Sequence, residues 1–376
     1  MDDPRHYPAP TAAPAELAPL HALASAAMGA ATGQEAQARD DELAIALDRL
    51  LQPGNGGALA RLFGSAPSAA IHRHLWRVLA ERERAGAPDP ALLVRLFALP
   101  VILVAAGQEE SVAHATLPAV VGDAAALAAI LREHGALAGN ATLALGNALV
   151  GAEAIDVAHL PDLLAWRALP ESPAPRELAP APVPVAAFVE GVHLRFLVGT
   201  ALAAPGADPM RDGAVGKWGM PFAQALARSL SAPGISVLAL PRAPQPLLAA
   251  VHQGRVAQRE VGAQLFASNA IRKFRATVGE PIAVVSVHRL DTPFGAGEVR
   301  LSLSSPFDPR QAEGFRCPLF PLDSVDDVVH MLTTLLSDCR VSDVRIRPGI
   351  HADRDAATGL TLLFKAEDAP PAVAVH

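Results

Sequence analysis

The chain has 376 residues, of which 51% are hydrophobic and 18% charged, with a formal net charge of −7. That apolar content excludes a globally disordered chain, and the length implies two or three domains. Residues 1–170 carry 11 arginines against 18 acidic residues, and residues 171–376 balance 20 against 20, so neither half has the cationic excess of a nucleic-acid binder.

Residues 1–15, rich in Pro and Ala, are expected to form a disordered tail. Helical spacing begins at Asp40–Leu51, with Leu43, Ile45, Ala46 and Leu50 on about one face, and stops at Pro53-Gly54-Asn55-Gly56-Gly57. Ala58–Phe63 reads as a short helical turn and Ala69–Arg84 as a longer helix carrying Ile71, Leu75, Val78 and Leu79. Ala91–Gly107 is a nearly continuous apolar run, read as a buried core helix kinked at Pro100. Arg95 and Pro100 make it too interrupted for a membrane span. Asp123–His134, Ala141–Val150 and Leu160–Ala168 continue the helical series.

Six prolines between Leu169 and Val185 fix φ and remove backbone donors, which predicts an extended linker. Beyond it, Ala187–Leu202 reads as a strand, Met220–Leu230 as a helix, and Ile235–Leu240 as a buried strand. Pro246–Val278 reads as a long helix open to a break near Gly254 or Gly262. Ile282–Leu290 and Glu298–Ser305 form an expected hairpin. Ser324–Asp338 is the clearest helix, with a capping Ser324 and Val325, Val328, Val329, Leu332, Leu335 and Leu336 on one face. Asp343–Arg347 and Leu360–Lys365 are expected to make a second hairpin.

The predicted fold is α+β: an Ala-rich helical domain over residues 16–168, the linker 169–185, a mixed-sheet α/β sandwich over 186–368 in the order β-α-β-α-β-β-α-β-β, and a tail at 369–376.

The chemistry-bearing patterns are incomplete. Gly213-Ala214-Val215-Gly216-Lys217-Trp218 lacks both the first glycine and the hydroxyl of a phosphate-binding loop. Ser236 follows Gly234-Ile235 but lacks the second half of a nucleophile elbow. Cys317 beside Arg316 has no histidine near in sequence, and it reads as structural. Cys317 and Cys339 are too few for a disulfide framework and are expected to be reduced thiols. His72 and His74 point to different sides of a helix, which argues against a shared metal. His351-Ala352-Asp353-Arg354-Asp355 groups an imidazole with two carboxylates but lacks the remaining calcium-loop ligands. No cofactor or metal is expected.

The catalytic candidates are His288, Asp291, His351 and Asp353, which two hairpins would bring to one sheet edge. Arg272, Lys273 and Arg275, with Arg255 and Arg259 upstream, form a candidate basic partner-binding stripe, while Phe274 should point into the core. The residues favour a protein-interaction or adaptor protein, with another protein as partner. The alternatives are an enzyme with a polar site in the α/β half and a nucleic-acid-associated regulator using the basic patch. Met1-Asp2-Asp3-Pro4 lacks the charged and apolar regions of a signal peptide, so a cytoplasmic location is expected.

Overall fold

The computed structural model describes residues 15–85, 93–105, 117–136, 142–165, 191–203, 215–240, 243–290, 296–308 and 311–365. The expected linker, 169–185, lies outside them. The fold is α+β with a mixed sheet. The chain divides into two compact units, chiefly residues 13–65 with 77–258, and residues 66–76 with 259–376.

The first unit opens on helices α1 (Ala18–Met28), α2 (Gly33–Leu50) and α3 (Gly56–Gly64), followed by the part of α4 (Ala69–Ala85) from Arg77 onward. Helix α2 starts earlier than its apolar spacing indicates because Thr32 caps it, its hydroxyl accepting from Glu35 N–H at 3.2 Å. Arg82 holds both oxygens of Asp48 at 2.6 Å and so ties α4 to α2.

Two expected helices are strands. Residues read as a helix at Ala91–Gly107 form β1 (Leu93–Ala105), and those at Ala141–Val150 form β2 (Thr142–Val150). With β3 (Gly191–Ala203) and β4 (Ile235–Ala239) they make an antiparallel sheet ordered β2-β3-β1-β4. This sheet draws strands from both sides of the Pro-rich segment. Strand β1 is buried on both faces, so the period of two that marks a half-exposed strand is missing from its sequence. Pro100 fits because Ala98 N–H bonds to Gln245 O, which turns the even-numbered amides of β1 toward the β4 side. There β4 ends at Ala239, opposite Val101, so the missing proline donor falls beyond the ladder.

One face of this sheet packs on α5 (Ala124–Glu133) and α7 (Val215–Ser229) through Leu127, Leu131, Trp218, Phe222 and Leu226. Strand β4, expected to be buried, is an edge strand with Ser236 and Leu238 exposed. The short helix α6 (Leu160–Ala165) matches its sequence expectation.

Helix α8 (Leu247–Thr277) is unbroken. Gly254 is there for packing: a Cβ at that position would stand 2.9 Å from Leu194 Cδ1 and from Phe196 Cζ of β3. The missing side chain lets the helix backbone approach the sheet.

The second unit holds β5 (Ile282–Arg289), β6 (Ala296–Ser304), β7 (Ala312–Pro318), α9 (Val325–Asp338) and β8 (Asp343–His351). The sheet order is β7-β6-β5-β8, with β5 and β8 parallel and the other pairs antiparallel. Two corrections apply. Strand β7 was not foreseen, and Leu360–Lys365 is not a strand, sharing only a single bridge between Arg354 and Thr361. From β3 onward the order is therefore β-α-β-α-β-β-β-α-β. One face of the sheet is apolar: Ala283, Val285, Val299, Leu301, Leu303 and Cys317 pack against α9 and the later turns of α8, where Phe274 is buried as expected.

Candidate functional site

The other face of this sheet is polar and buried. Alternation along a strand sends every second side chain to the same side. Ser286 and His288 on β5 and Glu298, Arg300, Ser302 and Ser304 on β6 thus share the face opposite the apolar core, and all six are buried. Register sets Ser286 opposite Arg300, His288 opposite Glu298, and Arg300 opposite Arg316 of β7. Residues 353–364, which follow β8 and adopt no regular strand, lie over this face.

Arg300 is the centre of the arrangement, with no solvent exposure of its side chain. Its Nε donates to Glu298 Oε1. One Nη donates to the carbonyls of Asp353 at 2.7 Å and Leu362 at 2.8 Å, and the other donates to Asp353 Oδ1. Arg316 Nε reaches both oxygens of Glu298, at 2.9 and 2.8 Å. Two guanidinium groups thereby offset two carboxylates, which is the condition for burying charge at tolerable cost.

His288 is placed by two hydrogen bonds. Its Nδ1 lies 2.8 Å from Ala352 O, and its Nε2 lies 2.8 Å from Ser286 Oγ. A carbonyl only accepts, so Nδ1 carries the proton and Ser286 donates to the free Nε2 lone pair. Burial, with Arg300 nearby, lowers the His288 pKa and favours this neutral form, against the opposing effect of the Ala352 carbonyl. Rings close over the pair: Phe364 stands 5.7 Å from His288 and 4.6 Å from His351, and the Arg347 guanidinium sits 4.4 Å over Phe364.

Three of the four catalytic candidates come together here. His288 and His351 are register partners on β5 and β8, and Asp353 binds Arg300. Asp291 lies outside the described residues. In the His351–Asp355 group Asp353 bonds to Arg300, and Asp355 accepts from the Ala357 and Thr358 amides at 2.8 and 2.9 Å. Ser286, Glu298, Arg300 and Arg316 were missed as site residues. For the first three the signal was present in the expected first hairpin, as Ser286 and His288 two apart and Glu298, Arg300, Ser302 and Ser304 at every second position, whereas Arg316 lies on the unforeseen β7.

The basic stripe is tied into local pairs. Lys273 bonds to Glu313, Arg275 holds both oxygens of Glu280 at 2.8 Å, and Arg272 donates to Asn269 at 3.3 Å. Arg259, expected to extend the stripe, is instead buried against Asp323 and the Pro318 carbonyl. Cys317 lies on the apolar face, away from the Arg316 side chain, and burial pushes its thiol up to about 12, leaving it protonated and inert. Among the described residues no group of three His, Cys, Asp or Glu side chains is placed to hold a metal, and no helix is long and apolar enough to cross a membrane.

His72 gives the second unit a pH dependence with a definite sign. Burial, then Arg73, lowers its pKa to about 4. The unfolded chain therefore takes up a proton near pH 6.5 that the folded chain refuses. Stability is full above pH 6.5 and falls as pH drops toward 4, because there the unfolded state binds more protons. Urea midpoints measured from pH 7.5 to 4 should fall for the wild-type chain, and His72→Asn should flatten that slope.

No protein-family model, curated protein or solved structure matches this chain.

Proposed function

We propose that this protein is a protein-interaction module whose second sheet binds a folded-back peptide loop on its polar face. The observation that carries this reading is the way residues 353–364 are held. The segment is fixed to the sheet by side chains and not by a ladder. Arg300 reads two of its backbone carbonyls and one carboxylate, and Phe364 fills a place between His288 and His351. Backbone capture combined with one charged and one aromatic anchor is how peptide segments are recognised. The chain's own segment occupies the face in cis, and a partner segment of similar chemistry would compete for it.

The test is direct. A fluorescein-labelled peptide of residues 350–365 is titrated into the full chain by fluorescence anisotropy. In the wild type, the tethered segment competes at an effective concentration on the order of millimolar. The Asp353→Ala/Phe364→Ala variant loosens it and should bind the peptide at least about tenfold more tightly. Adding Arg300→Met to that variant should abolish binding. A folded Asp353→Ala/Phe364→Ala chain that shows no saturable binding overturns the proposal.

A further inference from the structure

The polar face also holds a nucleophile, a base and an anion-binding group in contact order. Ser286 Oγ lies 2.8 Å from the unprotonated Nε2 of His288, and the other ring nitrogen is fixed by Ala352 O at 2.8 Å. This is the relation of nucleophile, general base and orienting acceptor used in covalent catalysis. Arg300 stands directly opposite Ser286 on β6. Its two Nη atoms make their hydrogen bonds to Asp353 and Leu362, within residues 353–364, while its Nε stays bound to Glu298 within the sheet. Ala352 directly follows the last residue of β8, so it remains with the strand if the chain lifts from Asp353 onward. Lifting residues 353–364 would then do two things at once. It would open the face above Ser286, and it would free both Arg300 Nη atoms beside it while Nε keeps the guanidinium in place.

We propose that Ser286 is a latent nucleophile toward small esters, with His288 as its base and Arg300 as the group that stabilises the developing oxyanion, uncovered when residues 353–364 lift. In the forward step, Ser286 Oγ bonds to the ester carbonyl carbon and its proton passes to His288 Nε2. The carbonyl oxygen takes the negative charge and meets the freed Arg300 Nη groups. Collapse breaks the ester C–O bond. The leaving alkoxide takes the proton from Nε2 and departs as the alcohol, and water then hydrolyses the acyl-serine by the same route. The proposal goes beyond peptide recognition and shares with it the covering segment and Arg300.

The test uses a fluorophosphonate–biotin probe on the full chain, read by intact mass and peptide mapping. Ser286 Oγ attacks phosphorus, the P–F bond breaks, and fluoride leaves as the serine proton moves to His288. The Asp353→Ala/Phe364→Ala variant should take up one equivalent on Ser286 at least about tenfold faster than wild type. In that background Ser286→Ala should remove the label, and His288→Gln should slow it by about 10²-fold or more. Phe364→Ala alone replaces the double variant, with the same readouts, if circular dichroism shows the latter unfolded. A folded, cover-loosened chain without label on Ser286 overturns the proposal, as does label that persists in Ser286→Ala. Peptide binding without labelling refutes the nucleophile alone, and labelling without peptide binding refutes only the peptide reading.

Discussion

Arg300→Met is expected to lower the unfolding free energy of the second unit by about 3–5 kcal/mol, the usual cost of removing one partner from a buried ion network. Methionine fills part of the same space but supplies no donor. The carbonyls of Asp353 and Leu362 lose the Arg300 hydrogen bonds that hold them, and Asp353 keeps only the more distant Arg316 at 3.6 Å and Arg354 at 3.8 Å. Glu298, 3% exposed, retains Arg316 alone. Arg300→Lys should recover little, because one ammonium cannot reach acceptors spread around a planar fork. Arg316→Met makes the control: its side chain is 35% exposed, so the loss should be smaller. Urea unfolding followed by far-UV circular dichroism measures all three, analysed as two transitions because the chain has two units. Equal losses for Arg300→Met and Arg316→Met would show that Arg300 is not the centre of the network.

How much of this was readable in the sequence depended on whether an element kept one face in solvent. Helix α9 was legible almost to the residue because Ser324 caps it and its apolar stripe is one-sided, with Val328, Leu332 and Leu336 buried. The β5–β6 hairpin was legible because its two faces differ in polarity. Strands β1 and β2 were not, because burial on both sides of β1 erased its alternation and β2 carries Gly146-Asn147 at a register shift between Leu145 and Leu149. Strand β7 went unseen because Ala312-Glu313-Gly314-Phe315-Arg316 has no β-branched residue to mark it. The site was half legible. The expectation that His288, His351 and Asp353 share one sheet edge rested on a hairpin between Asp343–Arg347 and Leu360–Lys365. The same residues meet by another route: β8 pairs parallel with β5, with Pro348 and Gly349 absorbed at a register shift, and the chain then crosses the polar face. A parallel pairing reached through a helix leaves no local trace in the sequence.

Glu83 is the contact least visible in the sequence and carries the second large expected effect. It is 2% exposed near the end of α4, and its carboxylate accepts from the amides of Leu247 at 2.6 Å and Leu248 at 2.9 Å, more than 160 residues later. Those amides open α8 and have no carbonyl within the helix to bond to. Pro246, just before them, has no amide to satisfy. A carboxylate there meets two orphan donors and the positive end of the helix dipole. Glu83→Ala leaves two buried donors unsatisfied at roughly 1–3 kcal/mol each, so a loss of about 2–6 kcal/mol is expected in the first unit. Glu83→Gln keeps one acceptor oxygen but sets an NH2 group against the other amide and removes the charge, so it should lose about half as much. Hydrogen exchange locates the effect. The Leu247 and Leu248 amides, protected in the wild type, should exchange faster in Glu83→Ala than those in the middle of α8. If Glu83→Gln proved as stable as wild type, neither the second hydrogen bond nor the charge would matter to this cap, and the dipole argument would fall.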